Sequence, residues 1–238
     1  MKKDKIFKVS NKGNGKAEIL IYAEIGGFFG LSSFEFIQEI NNLGKVNHVD
    51  LRVSSEGGSV IEAIDMYNAI RRHPATWHAH IDGLAASSAS WLVLATDKIY
   101  MAENAQYMIH RASTGAWGTA DELRKMADLT ESIEQTAMVN AYTAKTGMDD
   151  KTIMDMLNAE TWLTADKAKE FGFVDEISET LQMAASVKLS GRYAYAHAPE
   201  TLLTNNDGEP GDDDSDDNSS NVTPLLQAAR LAAAKLKY

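Results

Sequence analysis

The sequence predicts an α/β protein in which a parallel sheet is covered by helices. Three observations carry this expectation. From Ala17 to Ile81, short strand-like runs alternate with helix-period segments in the order strand, helix, strand, helix, strand. Glycine-bearing turns, Glu56-Gly57-Gly58 and Asp82-Gly83-Leu84, stand where two of those strands are expected to end. The composition, 44% hydrophobic and 24% charged over 238 residues, is that of a chain able to bury a core.

Taken in order, residues 1–16 are polar and rich in Lys and Gly, and are expected to form a flexible arm. Ala17–Ala23 (AEILIYA) reads as a strand. Ser32–Leu43 reads as a helix, because Ser32 and Glu35 stand in capping-box spacing. Val49, Leu51 and Val53 alternate with His48, Asp50 and Arg52, so Asn47–Ser54 is a second strand. Val60–Arg72 is a helix closed before Pro74, and Thr76–Ile81 a third strand. The glycine turn at Gly83 is expected to lead into an apolar helix, Ser87–Ala95, followed by short strands at Lys98–Met101 and Gln106–His110. Thr119–Thr146 is a long helical segment with Leu123, Met126, Ile133, Ala137 and Ala141 near one face. It reads either as a core helix or as one that projects to pack on another subunit. Lys151–Asn158 and Thr164–Phe171 read as short helices, and Phe173–Ile177 as a last strand. Beyond Ser186 the periodicity is lost. The expected organisation is therefore an arm (1–16), a folded unit (17–185), a disordered acidic linker (186–221) and a C-terminal amphipathic helix (222–238).

Charge and composition narrow the function. The formal net charge is -11, and seven acidic residues fall between Asp207 and Asp217 with no basic residue among them. An acidic balance argues against nucleic acid as a partner. The chain has no cysteine, which excludes a disulfide scaffold, a thiol nucleophile and thiolate-held zinc. No signal-peptide pattern is visible at the start, and the apolar run Leu84–Ala95 is broken by serines and too short to span a bilayer. A cytoplasmic protein with no membrane partner is expected.

In a parallel sheet, chemistry collects at the strand C-terminal ends. Ser87 follows the third strand and opens an apolar helix, where outward-pointing amides would favour an oxyanion. Read alone it is equally an N-cap serine. Gly57-Gly58 lets backbone amides approach a ligand oxygen, and the Gly58 and Ser88 amides together would make an oxyanion hole. Read alone the pair is a tight turn. His110 ends an apolar strand on the same expected edge, where a neutral imidazole can act as a base. A single such histidine also reads as structural.

Four segments in order, SSEGGSVIEAIDMYNAI, DGLAASSASWLVLA, KIYMAENAQYMIH and AETWLTADKAKEFGFVDEI, resemble the Clp protease proteolytic subunit (ClpP) family. The resemblance runs from about Ala17 to Ile177. It implies a crotonase-like spiral of βα units with a long projecting helix, and a serine endopeptidase with Ser87 as nucleophile, His110 as general base and Gly58 and Ser88 as oxyanion amides. The acidic member of the family triad falls on Glu160, two residues before Trp162, where the family usually has Asp. Asp155 is the fallback. No cofactor and no metal are implied. The ETWLTA wording, the GLAAS turn and the acidic tail are most similar to the head-maturation (prohead) proteases of tailed bacteriophages. That implies ring oligomers, as one ring or two stacked rings interlocked by Thr119–Thr146, with scaffold and major capsid proteins as substrates. The alternatives are a housekeeping-type Clp subunit working with an ATPase unfoldase, a crotonase-fold acyl-CoA enzyme, a Ser/Lys peptidase, or a module that kept the fold without catalysis. No P-loop occurs in the chain itself. The tail reads as a tether to a partner, a site of self-cleavage or an inert extension.

Overall fold

In the computed structural model, which describes residues 7–27, 30–179, 195–199 and 202, the chain opens on a hairpin of β1 (Phe7–Gly13) and β2 (Lys16–Ile21). The flexible arm expected over residues 1–16 is thus corrected for residues 7–13. Asn14 and Gly15 both take positive φ (50° and 73°), the two-residue turn whose twist suits an antiparallel pair. The Lys and Gly content masked this turn, and half-buried Phe7 and Val9 pack against the core.

A succession of βα units with parallel strands follows. Helix α1 (Ser33–Asn42) starts at Ser32 with the expected reciprocal capping box to Glu35. Strand β3 (His48–Ser55) buries Val49, Leu51, Val53 and Ser55 and turns its other residues outward, as a period of two requires. Helix α2 (Val60–Arg72) begins at the Ser59 cap. Strand β4 is longer than expected, running from Thr76 to Ala86 straight through Asp82-Gly83-Leu84. No turn forms at Gly83. The β3–β4 register instead slips between Val53↔Ile81 and Ser55↔Ala85, so the glycine lies at a bulge. The bulge lets one strand serve two neighbours. His78–Ile81 pairs with β5 (Lys98–Ala102), and Leu84–Ala86 pairs with β6 (Gln106–Ile109).

Between them lie α3 (Ser88–Leu92) and a tighter helical turn, Val93–Ala95. The long segment is α4 (Ala120–Ile133), a π turn over Glu134–Val139, and α5 (Asn140–Thr146). Near the widened turn, Thr136 Oγ1 donates to the Ser132 carbonyl at 2.7 Å, a side-chain competitor for the backbone ladder. The core-helix reading holds for the second half of this segment, and the first half stands exposed. Helix α4 buries no residue and exposes Leu123, Met126 and Leu129, whereas Met138, Val139 and Tyr142 are in the core.

Helix α6 (Asp150–Asn158), strand β7 (Thr161–Thr164), helix α7 (Ala165–Glu170) and strand β8 (Glu176–Ser178) complete the unit. Strand β7, antiparallel to β6, was not foreseen within ETWLTA, and the last strand is shorter than Phe173–Ile177 because Phe173 and Val174 are core residues of the turn before it. The sheet is mixed, in the order β1-β2-β3-β4-β5-β8, with β6 and β7 branching from the far half of β4. Apart from the β1–β2 and β6–β7 pairs, every pairing is parallel.

Among the described residues no helix is long and apolar enough to cross a membrane. The chain divides into a unit of Met1–Thr204 and a second of Asn205–Tyr238. The second unit, which holds the expected C-terminal helix and residues 205–221 of the expected acidic linker, lies outside the described residues.

Candidate active site

The β4–β6 pairing brings Ser87 to His110. Ala86 stands opposite Met108, and the Ser87 N–H donates to the Met108 carbonyl at 3.0 Å. His110 follows β6 directly, so both side chains leave adjacent strand ends on one edge of the sheet. Ser87 Oγ and His110 Nε2 lie 2.8 Å apart. Ser87 itself has φ 55° and ψ -127°, a backbone region that costs a side-chain-bearing residue roughly 1–3 kcal/mol. A buried network holds this sharp strand-to-helix turn. Ser90 Oγ donates to the Ser87 carbonyl at 2.6 Å and meets the Tyr142 hydroxyl at 2.8 Å, while Tyr107 Oη donates to the Ser90 carbonyl. Burial pushes both tyrosine phenols up, so they remain protonated donors.

Gly57 is required by proximity. Its φ is 90°, and a Cβ there would stand 2.5 Å from the Ala86 carbonyl oxygen and 2.8 Å from the Ser87 Cβ. Gly58 is bridged to Ile25 through its flanks: Ile25 N–H donates to the Gly57 carbonyl and Ser59 N–H to the Ile25 carbonyl. Among the described residues the Gly58 and Ser88 N–H groups have no protein acceptor, and the buried Ser88 hydroxyl is also unpartnered.

Burial, the largest influence on His110, pushes its pKa below the ordinary 6.5, against the pull of the Glu160 and Glu134 carboxylates. The imidazole is therefore neutral at neutral pH, the state a base needs. Sequence reasoning missed Glu134, which sits on the π turn only 1% exposed and accepts from Arg111 Nε at 2.9 Å and the Ala112 N–H at 2.8 Å. It fastens the chain just beyond His110. Its signal was a charge on an otherwise apolar helical face.

Glu160 is brought to the same place by register. Ile109 pairs with Thr161 in the antiparallel β6–β7 ladder, so His110 and Glu160 are the next residues out. The carboxylate does not hydrogen-bond His110. It accepts from Trp162 Nε1 at 3.1 Å, Ala196 N–H at 2.9 Å and His197 N–H at 2.7 Å. Asp155 is not brought to the site, for it lies on the exposed side of α6 in an ion pair with Lys151. Tyr195, Ala196 and His197, placed in a linker by their lack of periodicity, lie against the site instead. The Tyr195 ring stands 5.7 Å from the His110 ring.

A second cluster of titratable groups lies on the outer face of the sheet, where ligand atoms of His48, Asp50 and His78 fall within 4.8 Å of one another, a set able to hold a metal ion. Burial raises the Asp50 pKa, but hydrogen bonds from His80 and His48 outweigh it and hold the carboxyl below its usual range.

Comparison with known proteins shows the family of the chain. The family model described as Clp protease matches residues 2–181. The chain belongs to the Clp protease family. Among Clp relatives, it is 32% identical over 136 residues to ATP-dependent Clp protease proteolytic subunit 1 of Streptomyces avermitilis, over 56% of this chain and 62% of that one. It is also 32% identical over 136 residues to the subunit 1 of the same description from Corynebacterium jeikeium, over 54% and 69% of the two chains. The match thus spans about three-fifths of the first relative's length. A solved point mutant of ClpP1 from Listeria monocytogenes superposes with a TM-score of 0.61 at 22% identity, covering 71% of this chain and 94% of that one. The Clp-type α/β fold implied by the four sequence segments is the fold observed.

Proposed function

We propose that this chain is a serine endopeptidase in which Ser87 is the nucleophile, His110 the general base and Glu160 the acid that supports the imidazolium. The observation that carries this reading is the 2.8 Å contact between Ser87 Oγ and a half-buried His110, made at a strained turn. His110 Nε2 takes the hydroxyl proton as Oγ attacks a peptide carbonyl, and the Gly58 and Ser88 amides receive the oxyanion. His110 then returns the proton to the leaving amine, and water clears the acyl-enzyme with the same base. Glu160 acts through its charge, which favours protonated His110. Family membership supports the reading independently.

The proposed substrates are scaffold and major capsid proteins of a tailed phage, processed by a homo-oligomeric ring or pair of rings. Support for this comes from the ETWLTA and GLAAS segments and the acidic tail. A second reading, a housekeeping-type subunit working with an ATPase unfoldase, is favoured by the description ATP-dependent carried by the curated relatives. Cleavage assays separate the two. Ser87→Ala is expected to leave assembly intact and to abolish cleavage, and unimpaired cleavage by that variant sinks the assignment. Co-expression with capsid and scaffold precursors, followed by mass mapping of new ends, is expected to show Ser87-dependent cuts without an unfoldase. Cuts that appear only with an unfoldase and ATP would favour the second reading.

A further inference from the structure

Leu84, Ala86 and Met108 form a small apolar cluster of their own, separate from the main core. They lie on the opposite side of the β4–β6 ladder from Ala85 and Tyr107, which face the main core. Trp162 and Tyr195 are the partly buried residues packed on this floor. The Tyr195 ring stands edge-on to Trp162 at 5.6 Å and near-perpendicular to His110 at 5.7 Å, spacings favourable for aromatic pairs. Its hydroxyl donates to the Glu56 carbonyl at 2.7 Å. The site therefore has an apolar floor, two aromatic walls and one fixed acceptor at the depth of a phenol oxygen.

We infer that this is a peptide-binding subsite selective for a tyrosine side chain, and that the chain's own Tyr195 occupies it as a competing ligand. The inference rests on the peptidase reading for its place in catalysis, since the subsite adjoins the base His110. The occupant is anchored by its backbone as well as its ring. Ala196 and His197 donate consecutive N–H groups to the two Glu160 oxygens at 2.9 and 2.7 Å. In this state the carboxylate whose charge favours protonated His110 also holds the bound segment. The phenol acceptor sets the selectivity. A pocket that hydrogen-bonds a hydroxyl discriminates against a side chain lacking it, because the half-buried acceptor loses that partner.

The test uses the full chain as wild type, Tyr195→Phe and Tyr195→Ala, with two acetylated, fluorescein-labelled peptides, Tyr-Ala-His-Ala-Pro and Ala-Ala-His-Ala-Pro. Binding is read by anisotropy, and access to Ser87 by the rate of labelling with a fluorophosphonate. The tyrosine peptide is expected to bind Tyr195→Ala at least about tenfold more tightly than the alanine peptide, and wild type more weakly than Tyr195→Ala. Ser87 is expected to label about tenfold faster in Tyr195→Ala than in wild type, with Tyr195→Phe between them. Equal affinity for the two peptides, or labelling of Ser87 that proceeds at the same measurable rate in wild type and Tyr195→Ala, overturns the inference. If no variant labels at Ser87 while the peptide preference holds, the peptidase reading fails and the tyrosine subsite stands.

Discussion

At the scale of single residues, the site depends on where one proton sits. Burial keeps His110 neutral and Glu160 pulls the other way, so the two effects are separable by titration. The depressed pKa of His110 means that peptidase activity is expected to be lost only as pH falls below the ordinary imidazole value of 6.5. In Glu160→Gln the larger of the two raising influences is gone, and that of Glu134 remains. The acid limb of kcat is expected to move to still lower pH, while kcat at the plateau falls by about a hundredfold or more because the imidazolium loses its carboxylate. An unchanged limb and plateau would remove Glu160 from the mechanism. That Ser87 and His110 stand close to strand ends was legible in the sequence, although β4 runs on to Ala86, past the Ile81 end that the pattern suggested. The register put Glu160 where the resemblance implied, but its hydrogen-bond partners were not legible. Two of them come from residues 196 and 197, far along the chain in a stretch without periodicity.

Among the elements, β4 decides the geometry. Its bulge near Gly83 lets one strand pair with β5 and then with β6, and the second pairing carries Ser87 to His110. The sequence showed a glycine and suggested a turn. A turn and a bulge use the same residue for the same conformational freedom, and only the neighbouring strands decide between them. Strand β7 escaped notice for a related reason, because four residues are too few to establish a period. The Gly57 segment is a tighter constraint. Gly57→Ala is expected to destabilise the fold by roughly 1–3 kcal/mol in denaturant titration, from an unfavourable φ and a Cβ driven into the Ser87 turn. A stability equal to wild type would mean that this close approach is not maintained in solution.

For the whole molecule, α4 is the feature that a single chain does not explain. It is fourteen residues with none buried, and Leu123, Met126 and Leu129 are 42%, 37% and 52% exposed. The helical pattern was plain in the sequence, yet pattern alone could not say which half is core, because an apolar stripe facing a partner looks the same as one facing the core. In the proposed ring assembly this stripe is covered by another copy. The double variant Leu123→Asp with Leu129→Asp is expected to lower the mass found by light scattering while leaving the circular dichroism unchanged, and an unaltered mass would place the subunit contacts elsewhere. Whether Ser87 is an activated nucleophile is read from intact-mass spectrometry after fluorophosphonate treatment. One phosphonyl adduct per chain is expected, mapped to Ser87, absent in Ser87→Ala and formed far more slowly in His110→Ala. An adduct on another serine, or none at all in the folded wild-type chain, would contradict that role for Ser87.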